Sequence, residues 1–113
     1  MRTGFCEKTI DGVSIGFKFG TNAFTLLTDM HNKEFHEIDA IMSNAGGIRD
    51  LIFCAYRANA LSTGKEMKLN VYQIGDWLDD LPQSDYDDIL KALESAKVLG
   101  EGLNVSKEDE PKK

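Results

Sequence analysis

Several groups of residues have the side chains that chemistry would need, and each fails on spacing or setting. Gly64-Lys65 hints at a phosphate loop, but that loop needs a glycine five positions before Gly64 and a hydroxyl after the lysine. The chain has Asn59 and Glu66 there instead, and Glu66 would set a negative charge against a magnesium-bound phosphate. Gly64 is therefore expected to be the left-handed residue that closes a helix. His31, Glu34 and His36, in HNKEFH, lack the i, i+4 spacing that places two imidazoles on one helical face, and no cysteine or third histidine stands nearby. Asp79, Asp80, Asp85, Asp87 and Asp88 are dense in sequence. Acid–base work needs buried carboxylates, whereas these flank helix ends in a polar context and lack the order of a calcium loop. Cys54 lies within an apolar helical pattern and is expected to be inert packing. The expectation is a non-enzymatic protein with no catalytic residue, cofactor or metal.

Trp77 differs in kind. With Val71, Ile74, Leu78 and Leu81 it forms a compact apolar set rimmed by acidic residues, and tryptophan serves both small cores and interface hot spots. These five residues are the expected protein-binding positions if the set faces outward. The competing expectation, preferred for Trp77 itself, is a core anchor.

The elements that must position these residues follow from periodicity. Lys8 to Phe19, KTIDGVSIGFKF, reads as a β-hairpin turning at Asp11-Gly12, a dipeptide suited to a type I′ turn. Val13, Ile15, Phe17 and Phe19 alternate with Ser14, Gly16 and Lys18, so one face is expected to be apolar. A lone hairpin is marginal in water and needs helices to cover it. A first helix capped by Thr21 or Asn22 carries Phe24, Leu27 and Met30 and stops at His31-Asn32. Lys33 to Ala45 reads as a loop with one or two helical turns, and Asn44-Ala45-Gly46-Gly47 as a breaker. Ile48, Leu51, Ile52, Ala55, Tyr56 and Leu61 then trace the best helical stripe, predicting a core helix over Ile48 to Thr63. Asn70 caps a short helix ending before Pro82. Ser84 caps a last helix with Asp85, Asp87 and Asp88 in its first turn, Lys97 in its last, and Gly100 as its stop.

The fold class expected is α+β, an N-terminal β-hairpin followed by a small bundle of three to four α-helices. Residues 1–100 form one domain, and 101–113 a flexible charged tail. With 113 residues, 42% hydrophobic and 28% charged, the chain has room for one modest core. A net charge of -6 and no basic stripe argue against nucleic acid as a partner. Neither an apolar leader nor a run of ~18 apolar residues is present, so no membrane association is expected. Two widely separated cysteines fit reduced thiols in a cytoplasm. The outer edges of the hairpin offer a pairing route to a second copy, leaving a homo-oligomer open.

The order of these features resembles the tail assembly chaperones of long-tailed phages and prophages. TIDGVSIGFKFG, a short helix, the amphipathic GIRDLIFCAYRANAL, then TGKEMKLNVYQIGDWLDDL and a final helix carry the likeness, which spans roughly Lys8 to Leu99. The resemblance implies a non-enzymatic assembly factor in the host bacterial cytoplasm. Its implied partners are the tape measure protein, whose hydrophobic helices it keeps soluble, and the tail tube protein, which it helps recruit. The alternative is an acidic protein-binding adaptor or regulatory module unrelated to tails.

Overall fold

Alternation along the first strands builds a hairpin of β1 (Phe5–Ile10) and β2 (Val13–Lys18), paired antiparallel with Cys6 opposite Phe17, Lys8 opposite Ile15 and Ile10 opposite Val13. The computed structural model describes residues 3–10, 12–99 and 101–102. Gly12 has the positive φ that the expected turn requires, at +80°, while Asp11 lies outside the described residues. Residues directly opposite one another share a face. Ile10, Ile15 and Phe17 are accordingly buried, and Lys8 is carried to the same inner side.

Helix α1 (Thr21–His31) follows β2 directly. Its N-cap is Gly20 and no side chain caps it, so neither Thr21 nor Asn22 has the expected role. Thr21 Oγ1 instead accepts a hydrogen bond from the Leu99 amide at 2.8 Å. The helix stops as expected at Asn32, which is left-handed with φ 54°. Ala23, Phe24 and Leu27 are buried, whereas Met30, expected on the same stripe, is 44% exposed. The ambiguous stretch that follows holds a 3₁₀ turn (Phe35–Glu37) and the single-turn α2 (Ile38–Ile41).

Helix α3 (Ala45–Thr63) begins three residues earlier than its apolar stripe predicts. Asn44 is its N-cap, accepting from the Gly47 amide at 2.8 Å, so the expected breaker is the first turn. Gly47 is required by a close crossing: a Cβ there would stand 1.7 Å from the Ile41 carbonyl oxygen. Leu51, Ile52, Cys54, Ala55, Tyr56 and Ala58 are buried. Leu61, expected on the stripe, is 65% exposed, because at ~100° per residue it has rotated roughly 140° from Ile48. Gly64 ends the helix at φ 74°, as its punctuation role predicts.

Helix α4 (Val71–Asp79) starts with a reciprocal capping box. Asn70 Oδ1 accepts from the Gln73 amide at 2.9 Å, and Gln73 Oε1 accepts from the Asn70 amide at 2.8 Å. Helix α5 (Gln83–Glu94) is entered from extended Pro82, whose carbonyl accepts from the Asp85 and Tyr86 amides. Ser84 thus lies inside the helix and does not cap it. The helix also ends sooner than predicted. Ser95 Oγ accepts from the Gly4 amide at 2.8 Å and donates to the Ala92 carbonyl, and Lys97 then bridges Gly20 in parallel. The chain has therefore left the helix by Lys97, which begins a short hairpin of β3 (Lys97–Val98) and β4 (Glu101–Gly102). Gly100, the predicted stop, and positions 103–113 of the predicted tail lie outside the described residues.

The outcome is α+β: an N-terminal hairpin with helices packed over it. Phe17, Phe19, Leu27, Leu51 and Ile74 centre the core. Tyr56 fixes the link between α3 and α4, its hydroxyl oxygen accepting from the Lys68 amide at 2.6 Å and the Leu69 amide at 3.2 Å. Among the described residues no helix is long and apolar enough to cross a membrane.

Cys6 and Cys54 are both free thiols. Burial, reinforced by the charge of Asp50, pushes the Cys54 thiol up to about 12 from an ordinary 9. The folded state keeps this proton while the unfolded chain releases it, so stability falls as pH rises from about 9 towards 12. The slope from this group reaches about 1.4 kcal/mol per pH unit. Urea midpoints measured across that range should decline less steeply in Cys54→Ala than in the wild type; parallel curves would remove this coupling.

Candidate functional site

The clearest concavity is a cleft of about 440 Å³ between the first half of α3 and the outer side of α4, with Tyr86 of α5 at its border. Helical spacing explains how α4 serves both core and cleft. Ile74 points inward and is fully buried. Tyr72, Gly75, Asp76 and Asp79, at i, i+3, i+4 and i+7, form the opposite stripe and line the cleft. From α3 come Ile48 and Ile52, which with Leu78 give the cleft its apolar floor.

The five residues expected to bind protein go to different places. Trp77 stacks on Phe17 with centroids 5.8 Å apart and planes within 5°, so it anchors α4 to the hairpin. Leu81 lies beyond the end of α4 and packs against the core. Val71 is half-buried and does not line the cleft. Of the set, Leu78 alone belongs to the cleft.

A charge network supports the cleft from behind. Asp50, only 7% exposed, accepts from Arg49 Nε at 3.0 Å and Nη2 at 2.9 Å on one oxygen, while its other oxygen lies 2.9 Å from His31 Nε2. This contact joins the end of α1 to α3. It also commits His31, one of the residues in the rejected metal pattern. Among the described residues no three His, Cys, Asp or Glu side chains converge as a metal site. The Arg49 guanidinium sits 5.5 Å from the Tyr72 ring centroid, and a Cβ at Gly75 would approach Arg49 Cδ to 3.1 Å. Arginine thus lies along one wall with its charge answered by Asp50. Asp76 and Asp79 have no ionic or hydrogen-bonded partner among the described residues.

The remaining acidic residues divide differently from a purely solvated surface. Lys8 Nζ reaches Asp85 at 2.9 Å and Asp88 at 2.5 Å, tying β1 to the first turns of α5. The Asp88 hydrogen bond is the main cause raising the Lys8 ammonium above its ordinary value, and Lys8 in turn holds the Asp88 carboxyl below its own. Asp87 accepts from Gln83 Nε2 at 2.9 Å.

Sequence reasoning missed Arg49, Asp50, Tyr72, Gly75 and Tyr86. The i, i+3, i+4, i+7 spacing of Tyr72, Gly75, Asp76 and Asp79 was a usable signal for a second face on α4. What the cleft can do chemically is bind: an apolar floor, two aromatic rings and two unanswered carboxylates suit a reversible contact. Compared with protein-family models, curated proteins and solved structures, the chain matches none.

Proposed function

We propose that the protein is a non-enzymatic assembly chaperone for phage tail morphogenesis, acting in the host bacterial cytoplasm. It holds the tape measure protein in soluble form and aids recruitment of tail tube subunits. The order of sequence features from the TIDGVSIGFKFG hairpin to the Trp77 helix supports this assignment through the family it resembles. The observation that carries it is the open cleft between α3 and α4, with Ile48, Ile52 and Leu78 beneath two unpartnered carboxylates. Such a surface covers an apolar client while keeping the complex charged and soluble, and modest contacts permit later displacement.

The test is co-expression with a candidate tape measure protein. That long protein should become soluble and co-purify with it. A tape measure protein that stays insoluble and unbound would overturn the proposal. Stable retention of a single non-tail protein would instead favour the acidic adaptor.

A further inference from the structure

We propose that the α3–α4 cleft docks a basic amphipathic helix of a partner protein. Lysine or arginine side chains of that helix meet Asp76 and Asp79, while its apolar residues cover Ile48, Ile52 and Leu78. This rests on the client-binding assignment above and specifies the segment of client that the site accepts.

Charge complementarity decides the occupant. Arg49, the basic residue of the cleft, is already bound through two nitrogens to Asp50, so it does not answer the α4 carboxylates. Asp76 and Asp79 sit one turn apart on the same helical face, where neighbouring Cβ atoms are about 5–6 Å apart. Basic residues three or four positions apart on an approaching helix repeat at the same interval. The -6 net charge of the chain disfavours a second copy and favours a cationic segment. Geometry favours a helix. Both long walls are helices, with the Arg49 side chain packed over Gly75 between them, and the open groove they form is the kind of bed into which the side-chain ridge of a third helix fits. Tyr86 and the exposed remainder of Tyr72, one face of which lies against Arg49, offer ring surface for the stems of long basic side chains at the border of the same cleft.

The probe is a synthetic helical peptide of roughly 15 residues, about four turns, with leucines along one face and two lysines spaced i, i+3 at its flank. A companion peptide carries glutamates in place of the lysines. Fluorescence anisotropy with the full chain should show binding of the lysine peptide, weakening as salt rises. The glutamate peptide should bind at least about tenfold more weakly. Asp76→Asn/Asp79→Asn, with circular dichroism unchanged, should weaken the lysine peptide about three- to tenfold, the range set by two partly exposed ion pairs. Asp39→Asn on α2, outside the cleft, should leave binding unchanged. Equal binding of both peptides, unaltered affinity in the double variant, or no binding of either peptide at millimolar concentration would overturn the proposal. Co-expression separates the two levels. If the double variant still solubilises the tape measure protein, this cleft is not the docking surface but the chaperone assignment stands. If the peptide docks as expected while the tape measure protein stays insoluble, the assignment falls and the docking surface remains.

Discussion

Gly47→Ala is expected to destabilise the protein by about 3 kcal/mol, the upper range of overpacking costs, shifting the urea midpoint by more than about 1 M. Within a helix this replacement normally stabilises by about 0.5–1 kcal/mol, because alanine loses less backbone freedom on folding. Here the sign reverses. The added methyl would stand 1.7 Å from the Ile41 carbonyl oxygen and 2.6 Å from its carbonyl carbon, atoms of a backbone that has no rotamer to change. Either α2 lifts away from α3 or the first turn of α3 unwinds, and both disturb residues beside the cleft. Gly46→Ala is the internal control: its methyl would come no closer than 3.4 Å, to Asn44 Oδ1, so it should be neutral or slightly stabilising. Urea denaturation of the two variants side by side checks the contrast. Similar midpoints would show that the crossing of α2 and α3 yields easily.

Phe17→Ala should cost about 3–5 kcal/mol, the usual range for truncating a buried aromatic side chain. Phe17 is fully buried, stacks on Trp77 and lies 6.3 Å from the Tyr56 ring at a tilt of 58°. Its removal takes away transfer energy, opens a cavity and breaks the stack that seats α4 on the hairpin. Phe17→Leu, which keeps much of the volume, should lose less. Since Trp77 is the chain's single tryptophan, its emission reports the event directly. The alanine variant should show red-shifted emission before denaturant is added, together with the lowered midpoint. A loss below about 1 kcal/mol without a spectral shift would mean that α4 is held in place by other contacts.

These two positions also mark what periodicity reveals and what it conceals. Phe17 was legible, because VSIGFKF alternates cleanly beside Asp-Gly and such a face must be buried. The requirement at Gly47 was not. Glycine carries the same local signal whether it breaks a helix or lets another segment cross, and the chain that crosses here is α2. The same limit explains the last helix. Its apolar spacing through Ala96 was visible, but the pairing of Lys97 with Gly20 competes with helix and is invisible to any local window. At the site, the apolar stripe of α4 was legible while its division of labour was not. Trp77 joins the core because Phe17 stands opposite it, and Tyr72, Asp76 and Asp79 acquire meaning only with Ile48 and Arg49 of α3 alongside. Charge pairs were the least readable element: His31 and Asp50 lie 19 positions apart, and sequence proximity gives no hint of their contact.

The bond between Lys8 and Asp85 spans 77 positions, a separation that translation at 5–20 residues per second covers in about 4–15 s. For that interval the inner face of the nascent hairpin carries a cation whose counterions have not yet been made. Charge neutralisation on the side of the first strand thus depends on the last helix, whose Asp85 and Asp88 supply the carboxylates that answer Lys8.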